Sequence, residues 1–348
     1  MRSLSERHRS TNTTIRTEDL MNAIVRSVSA ALLWSISTAI LAQPAPRGIE
    51  GDYPNRPVRL IIPFTPGGSN DNVARILGAR LSQLWGQQVV PDNRVGANGI
   101  IGTALAAQAP PDGHTMVIAS TTFAINPTTH KLPYDSLKDF QPVALVGDGP
   151  LILCAHPAFP ARTVKELISL ARTKPKELQY GISGVGGVTH LAMLRLQKMT
   201  GTSMVHVAYK GSGAAVIDIL SGQVPLIMSS VSPILAHLNS GKLRVLGLGG
   251  AKRSALLPNI ATIAESGVAG YEASIWWGIL VTRATPKFIV DKLDRDIGRS
   301  LEDRDVQERF ASLGMEPRHA PSTQFAKLLA SEISDFSKLI KEAGITTQ

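Results

Sequence analysis

Glycine turns that open helices, rather than acids, bases or thiols, are the residues of this sequence whose spacing points to chemistry. Four segments repeat one pattern. In the first, the apolar run Val58-Arg59-Leu60-Ile61-Ile62 passes into Pro63-Phe64-Thr65-Pro66-Gly67-Gly68, and Ser69-Asn70-Asp71 opens a helix. Its apolar residues Val73, Ile76, Leu77, Leu81, Leu84 and Trp85 recur at the spacing of one buried helical face. The second is Asn93-Arg94-Val95-Gly96-Ala97-Asn98-Gly99, leading into residues 100–107. The third runs from Tyr180 to Gly187 and enters a helix through Thr189, His190, Leu191 and Leu194. The fourth, Tyr209-Lys210-Gly211-Ser212-Gly213, enters residues 214–220. Glycine lets backbone approach a ligand closely, and the first N–H groups of a helix have no partner inside it. With the positive end of the helix dipole they make an anion site. One such loop is also explained as a tight strand-to-helix turn. Four, two in each half of the chain, predict a shared binding site.

Groups that would catalyse are missing from the pattern. There is no HExxH, no Cys/His cluster and no paired histidine spacing, so no metal site is expected. Gly-Ile-Ser-Gly-Val around Ser183 departs from the nucleophile elbow, and no phosphate-binding GxxxxGK[ST] loop occurs. Gly96 to Gly102 is not the dinucleotide fingerprint, so no cofactor is expected either. Asp71 and Arg75, four apart on a helix, read as a structural ion pair. His190, at a helix start, either faces a cleft or serves as a capping or solvated side chain. The residues supply cradles without a catalytic group, which points to binding.

Alternating strand and helix patterns must position these loops. Strand-like runs include 116–119, 151–153, 224–228 and 243–248, and helix-like runs include 163–174, 189–200 and 214–220. Alternation of this kind predicts α/β domains with mostly parallel sheets. From Pro286 onward the pattern reads as helical, over 286–301, 306–313 and 322–343. Two long extended stretches, 143–156 and 271–285, look like crossings between domains. The expected arrangement is one discontinuous domain of residues 50–148 and 273–348, a second of residues 149–272, and a ligand cleft between them.

The first 42 residues are set apart from this fold. A short basic segment at Met21 to Arg26, the apolar run Ala30 to Ala42 and the following Gln43-Pro44-Ala45-Pro46 form a secretory signal-peptide pattern, too short for a membrane span. Residues 1–20 sit upstream of it, and Met21 is the expected start. The remaining 306 residues suit two domains. Without the leader's five arginines and three acidic residues, the chain's +9 becomes +7. Its basic residues are scattered singly, which argues against nucleic acid and suits small anions. The single cysteine, Cys154, lies in the apolar run 151–155 and reads as a buried thiol.

Several ordered motifs resemble the Bordetella uptake gene (Bug) family, the TctC-like periplasmic receptors of tripartite tricarboxylate transporters. They are Tyr53-Pro54-Asn55-Arg56-Pro57, Pro66-Gly67-Gly68 with Asp71 and Ala74-Arg75, Pro111-Asp112-Gly113, and Leu132-Pro133-Tyr134-Asp135. Further matches are Ser183-Gly184 with Gly186, His190-Leu191, Tyr209-Lys210-Gly211, Gly222-Gln223-Val224, and Trp276 with Gly278. The resemblance covers residues 50–345. It implies a type II-like, two-lobed α/β periplasmic binding protein, with no enzymatic activity, that closes on a small organic carboxylate held by backbone amides and hydroxyls. Carried over, the first-lobe ligand residues are Phe64, Pro66, Gly67, Gly68 and Ser69, with Ser120 and Thr121. In the second lobe they are Ser183, Gly184, Gly186 and Thr189, then Tyr209 and Gly211. The partners implied are the membrane permease subunits of a tripartite transporter or, alternatively, the ectodomain of a sensor kinase; a periplasmic monomer is expected. Ile182 and Gly187 stand where the family offers hydroxyls, Asn70 where Thr is common, and Pro225 and Ser229 where acidic residues are frequent. These departures point away from a tricarboxylate or amino acid and toward a less polar acid.

Overall fold

The computed structural model describes residues 53–343, so the expected signal peptide and start at Met21 lie outside the described residues. Val58–Ile62 forms β1, of which only Arg59 is not fully buried. Helix α1 (Ser69–Trp85) lays Val73, Ala74, Leu77 and Leu81 against the sheet and stops at Gly86, whose φ of 64° is left-handed. Burying each such aliphatic side chain stabilises the fold by roughly 1.5–3 kcal/mol. The chain continues through β2 (Val89–Asn93), α2 (Ile100–Ala107), β3 (Thr115–Ser120) and α3 (Thr121–Thr129). Strands β2 and β3 flank β1 in parallel.

The 16-residue β4 (Phe140–Ala155) then changes partners along its length. Phe140 to Pro150 pairs antiparallel with β9 (Ser274–Thr282), while Leu151 to Ala155 pairs with β7 (Leu226–Ser230) and β8 (Arg244–Leu248). Between these lie α4 (Val164–Thr173), β5 (Gln179–Ile182), α5 (Val188–Thr200), β6 (Val205–Ala208), α6 (Ser212–Leu220) and the short α7 (Leu235–Asn239). The strand order is β2-β1-β3-β9-β4-β7-β5-β6, with β8 also on β4. At the exchange point the backbone closes a small ring of hydrogen bonds. Leu151 N–H donates to Ala273 O (3.1 Å), Ala273 N–H to Gly249 O (2.7 Å) and Gly249 N–H to Leu151 O (2.7 Å).

Two expectations are corrected. The sheet is mixed rather than mostly parallel: β4 and β9 run opposite to each other, and every pairing that involves either strand is antiparallel. The tail is not wholly helical. After α8 (Lys287–Glu302) and α9 (Arg304–Ser312), β10 (Glu316–Pro321) pairs with β4 before α10 (Ser322–Ala343). Two prolines hid this strand, and an edge with a register shift between Pro317 and Ala320 tolerates them. Among the described residues no helix is long and apolar enough to cross a membrane.

Candidate functional site

Four helix N-termini meet at one narrow cavity of about 30 Å³. The start of α1 contributes Gly68, Ser69 and Asn70, and Phe64 comes from the turn before it. The start of α5 contributes Val188 and Thr189, and that of α6 contributes Ser212. Strand ends add Ser230 and Ile275, and Ser183 comes from the turn after β5. The fourth helix is α3, through Ser120 and Thr122, and not the helix that follows Gly99. Three of the four glycine loops therefore reach the cavity. The second one holds the walls: Asn98 Nδ2 donates to Asn126 Oδ1 at 2.8 Å, and its side chain fills the space beside Gly184 and Gly187.

None of the four helices is capped by the side chain of its own N-cap residue, these residues being Gly68, Ser120, Gly187 and Gly211. By contrast, Thr163 closes α4 and Asp303 closes α9. A start left open concentrates roughly half a positive charge on its free N–H groups. Hydrogen bonds within the walls already use part of that capacity. Val188 N–H donates to Thr122 Oγ1 (3.3 Å), and Ser183 N–H donates to Thr189 Oγ1 (3.0 Å), whose oxygen lies 2.9 Å from Ser183 Oγ. Seven lining residues carry hydroxyls, one an amide, and none an ionisable side chain. The wall thus favours an anion by dipoles and neutral donors, with no guanidinium or ammonium.

A buried carboxylate fixes the first turn. Asp71 accepts from Gly67 N–H (3.0 Å), Arg75 Nε (2.9 Å) and Asn93 Nδ2 (3.0 Å), and Asn93 Nδ2 also reaches Phe64 O (3.0 Å). Burial works to raise the Asp71 pKa, but these bonds outweigh it and hold the carboxyl below its ordinary value. The i, i+4 pairing of Asp71 and Arg75 is a structural ion pair.

A family model described as the tripartite tricarboxylate transporter family receptor, TctC, matches residues 73–345. The chain belongs to this receptor family. It is 35% identical to protein BugT of Bordetella pertussis over 316 residues, covering 89% of this chain and 95% of that one. Among solved structures, R. palustris Rpa4515 with adipate superposes with a TM-score of 0.83 at 34% identity, over 85% of this chain and 100% of that one. MatC from Rhodopseudomonas palustris with bound malate gives a TM-score of 0.77 at 30% identity, over 83% of this chain and 100% of that one. The fold is that of an α/β periplasmic binding protein, and the family's members are solute-binding receptors, not enzymes.

Of the residues expected to hold ligand, the structure gathers Phe64, Gly68, Ser69, Ser120, Ser183 and Thr189 in the lining. The others stand behind it. Gly67, at φ 75°, turns its N–H onto Asp71, and Pro66 O abuts Gly213. Thr121 Oγ1 accepts from Trp276 N–H at 3.0 Å, facing β9. Gly184 meets Asn98, and Gly186 O accepts from Thr129 Oγ1 at 3.4 Å. Gly211, at φ 137°, lies so close to Thr65 that a Cβ would sit 2.6 Å from its hydroxyl oxygen. Tyr209 OH donates to Asp218 at 2.8 Å, on its own side of α6. Gly184, Gly186 and Gly211 serve loop-on-loop contact rather than forming the wall itself. Sequence reasoning missed Thr122, Val188, Ser212, Ser230 and Ile275 and placed Asn70 only as a departure. Ser212 and Ser230 had a readable signal, a hydroxyl beside Gly211 and one ending an apolar strand; Ile275 had none.

Proposed function

We propose that the protein captures a small organic carboxylate in this cavity and delivers it to the membrane permease of a tripartite transporter. The observation that carries the reading is the convergence of four helix starts, none capped by its own N-cap side chain, on one space whose lining has no ionisable group. The adipate and malate held by the two R. palustris relatives support a carboxylate. In this reading residues 50–148 with 273–348 form one lobe and residues 149–272 the other, with β4 and β9 as the connections. Thr65 N–H to Lys210 O (3.3 Å), Asn72 Nδ2 to Ser232 Oγ (2.5 Å) and Thr129 Oγ1 to Gly186 O then bridge a closed cleft. The candidate ligand residues carried from the sequence act here either in the wall or, as with Pro66, Gly67, Thr121, Gly184, Gly186, Tyr209 and Gly211, by shaping it. The leader directs the receptor to the periplasm. The lining of seven hydroxyls and an amide, against Phe64, Val188 and Ile275, favours a more polar acid than the departures alone implied.

A thermal-shift screen over mono-, di- and aromatic carboxylates tests the proposal. An acid present at about 100 times its Kd raises stability by roughly 2.7 kcal/mol. Small-angle scattering should show a smaller radius of gyration with that acid bound, because contacts to both lobes favour the closed form. A panel in which no acid shifts the melting temperature overturns the receptor reading.

A further inference from the structure

Asn70 is the second residue of α1, is 4% exposed and lines the cavity. Its Oδ1 is buried without any hydrogen-bond partner among the described residues. The hydroxyls around it differ in one respect: a hydroxyl rotates and can serve as donor or acceptor, whereas a primary amide presents a fixed acceptor beside fixed donors. A carboxylate offers acceptors only. It satisfies helix N–H groups, hydroxyls and the amide Nδ2, and leaves Oδ1 unmet.

Resting on the carboxylate reading above, we infer that Asn70 is a specificity residue that selects acids carrying a neutral hydrogen-bond donor, a hydroxyl or carboxamide, beside the carboxylate. Such a group answers Oδ1 while the carboxylate occupies the open helix starts. An ammonium would answer it too, but the surroundings oppose a cation. The start of α1 is positive, and no lining residue is acidic. The adjacent carboxylate, Asp71, is already used by Gly67, Arg75 and Asn93. The site therefore ranks a hydroxy acid above its deoxy analogue and above its amino analogue. A buried group built to pair with a hydroxyl discriminates against the ligand that lacks it, because the site's own polar atom then goes unpaired.

The experiment is calorimetric titration of the wild-type protein and Asn70→Ala with malate, succinate and aspartate, and with lactate and propionate. The wild-type protein is expected to bind malate or lactate about tenfold or more tightly than its deoxy partner, with aspartate weaker than malate. In Asn70→Ala the preference should fall to about threefold or less, mostly through weaker hydroxy-acid binding. Equal affinities for the paired acids in the wild-type protein overturn the assignment, and that measurement does not depend on the variant folding. A preference that survives Asn70→Ala, or a variant that loses both members of a pair equally, also overturns it. In those cases acids still bind, so the carboxylate reading stands. Failure of every acid in the panel to bind the wild-type protein, with adipate included as a longer probe, overturns both.

Discussion

Acidification from pH 7 to pH 5 should weaken the fold through His190, and the structure sets the size of the effect. His190 is the third residue of α5 and 7% exposed. Its Nδ1 accepts from Gly186 N–H at 3.0 Å, so the neutral ring carries its proton on Nε2, which is buried without a partner. His206 of β6 packs against it with ring centroids 4.5 Å apart. Burial first, then charge on His206, lowers the His190 pKa from 6.5 to about 4. The helix dipole acts in the same sense. The unfolded chain therefore binds a proton that the folded one refuses. The stabilisation is fully present above pH 6.5 and is lost as pH falls toward 4, amounting to about 2 kcal/mol between pH 7 and 5. For a chain of this size that lowers Tm by about 3 °C. Protonation also turns Nδ1 into a donor facing the Gly186 N–H, which loosens the turn that meets Thr129. Thermal melts of the wild-type protein and His190→Asn at both pH values isolate this effect, since the other titrating groups remain in each. The variant should lose the extra shift of about 3 °C. The same pH dependence in both proteins would refute the reasoning.

Three further outcomes follow from the site and the core. Gly68→Val should abolish ligand binding: its φ of −76° carries no strain, but a Cβ there lies 3.2 Å from Ser212 Oγ and 3.3 Å from Thr65 O, which closes the wall where α1 and α6 meet. Ser183→Ala should weaken binding by only about 0.5–1.5 kcal/mol, and equal losses by calorimetry would contradict this ranking. Cys154 is fully buried, and burial raises its thiol pKa, so native protein should resist a thiol reagent at pH 8 until denaturant is added. Rapid labelling of the native protein would contradict that burial.

Local pattern made much of the frame legible. The apolar run at 58–62 is β1, the extended stretch at 143–156 covers β4 except its first three residues, that at 271–285 contains β9, and α10 has the bounds its periodicity predicts. Helix α3 was missed for a physical reason. Its sequence, TTFAINPTT, is poor in strong helix formers and contains Pro127, and tertiary contacts impose the helix. Most of its side chains are buried, and Asn126 bonds to Asn98. The glycine turns announced three helix starts at the cavity, whereas α3 begins straight after a strand at Ser120, without a glycine. Likewise the lining stretches from Phe64 to Ile275, and no local spacing records which distant loops meet. The asparagine at 98 reads as part of a cradle in the sequence; only the fold shows that it instead fills the gap beside Gly184 and Gly187.

The central claim is that uncharged dipoles at four helix starts hold a carboxylate. It is tested most directly by calorimetric titration with the tightest acid found in the screen and with the same molecule converted to its primary amide. The two have nearly equal size, so they differ mainly in the negative charge that the helix starts receive. The account predicts saturable one-to-one binding of the acid and binding at least about tenfold weaker for the amide, since hydrogen bonds to a charged acceptor are about twice as strong as neutral ones. Equal affinity for the acid and its amide would contradict it.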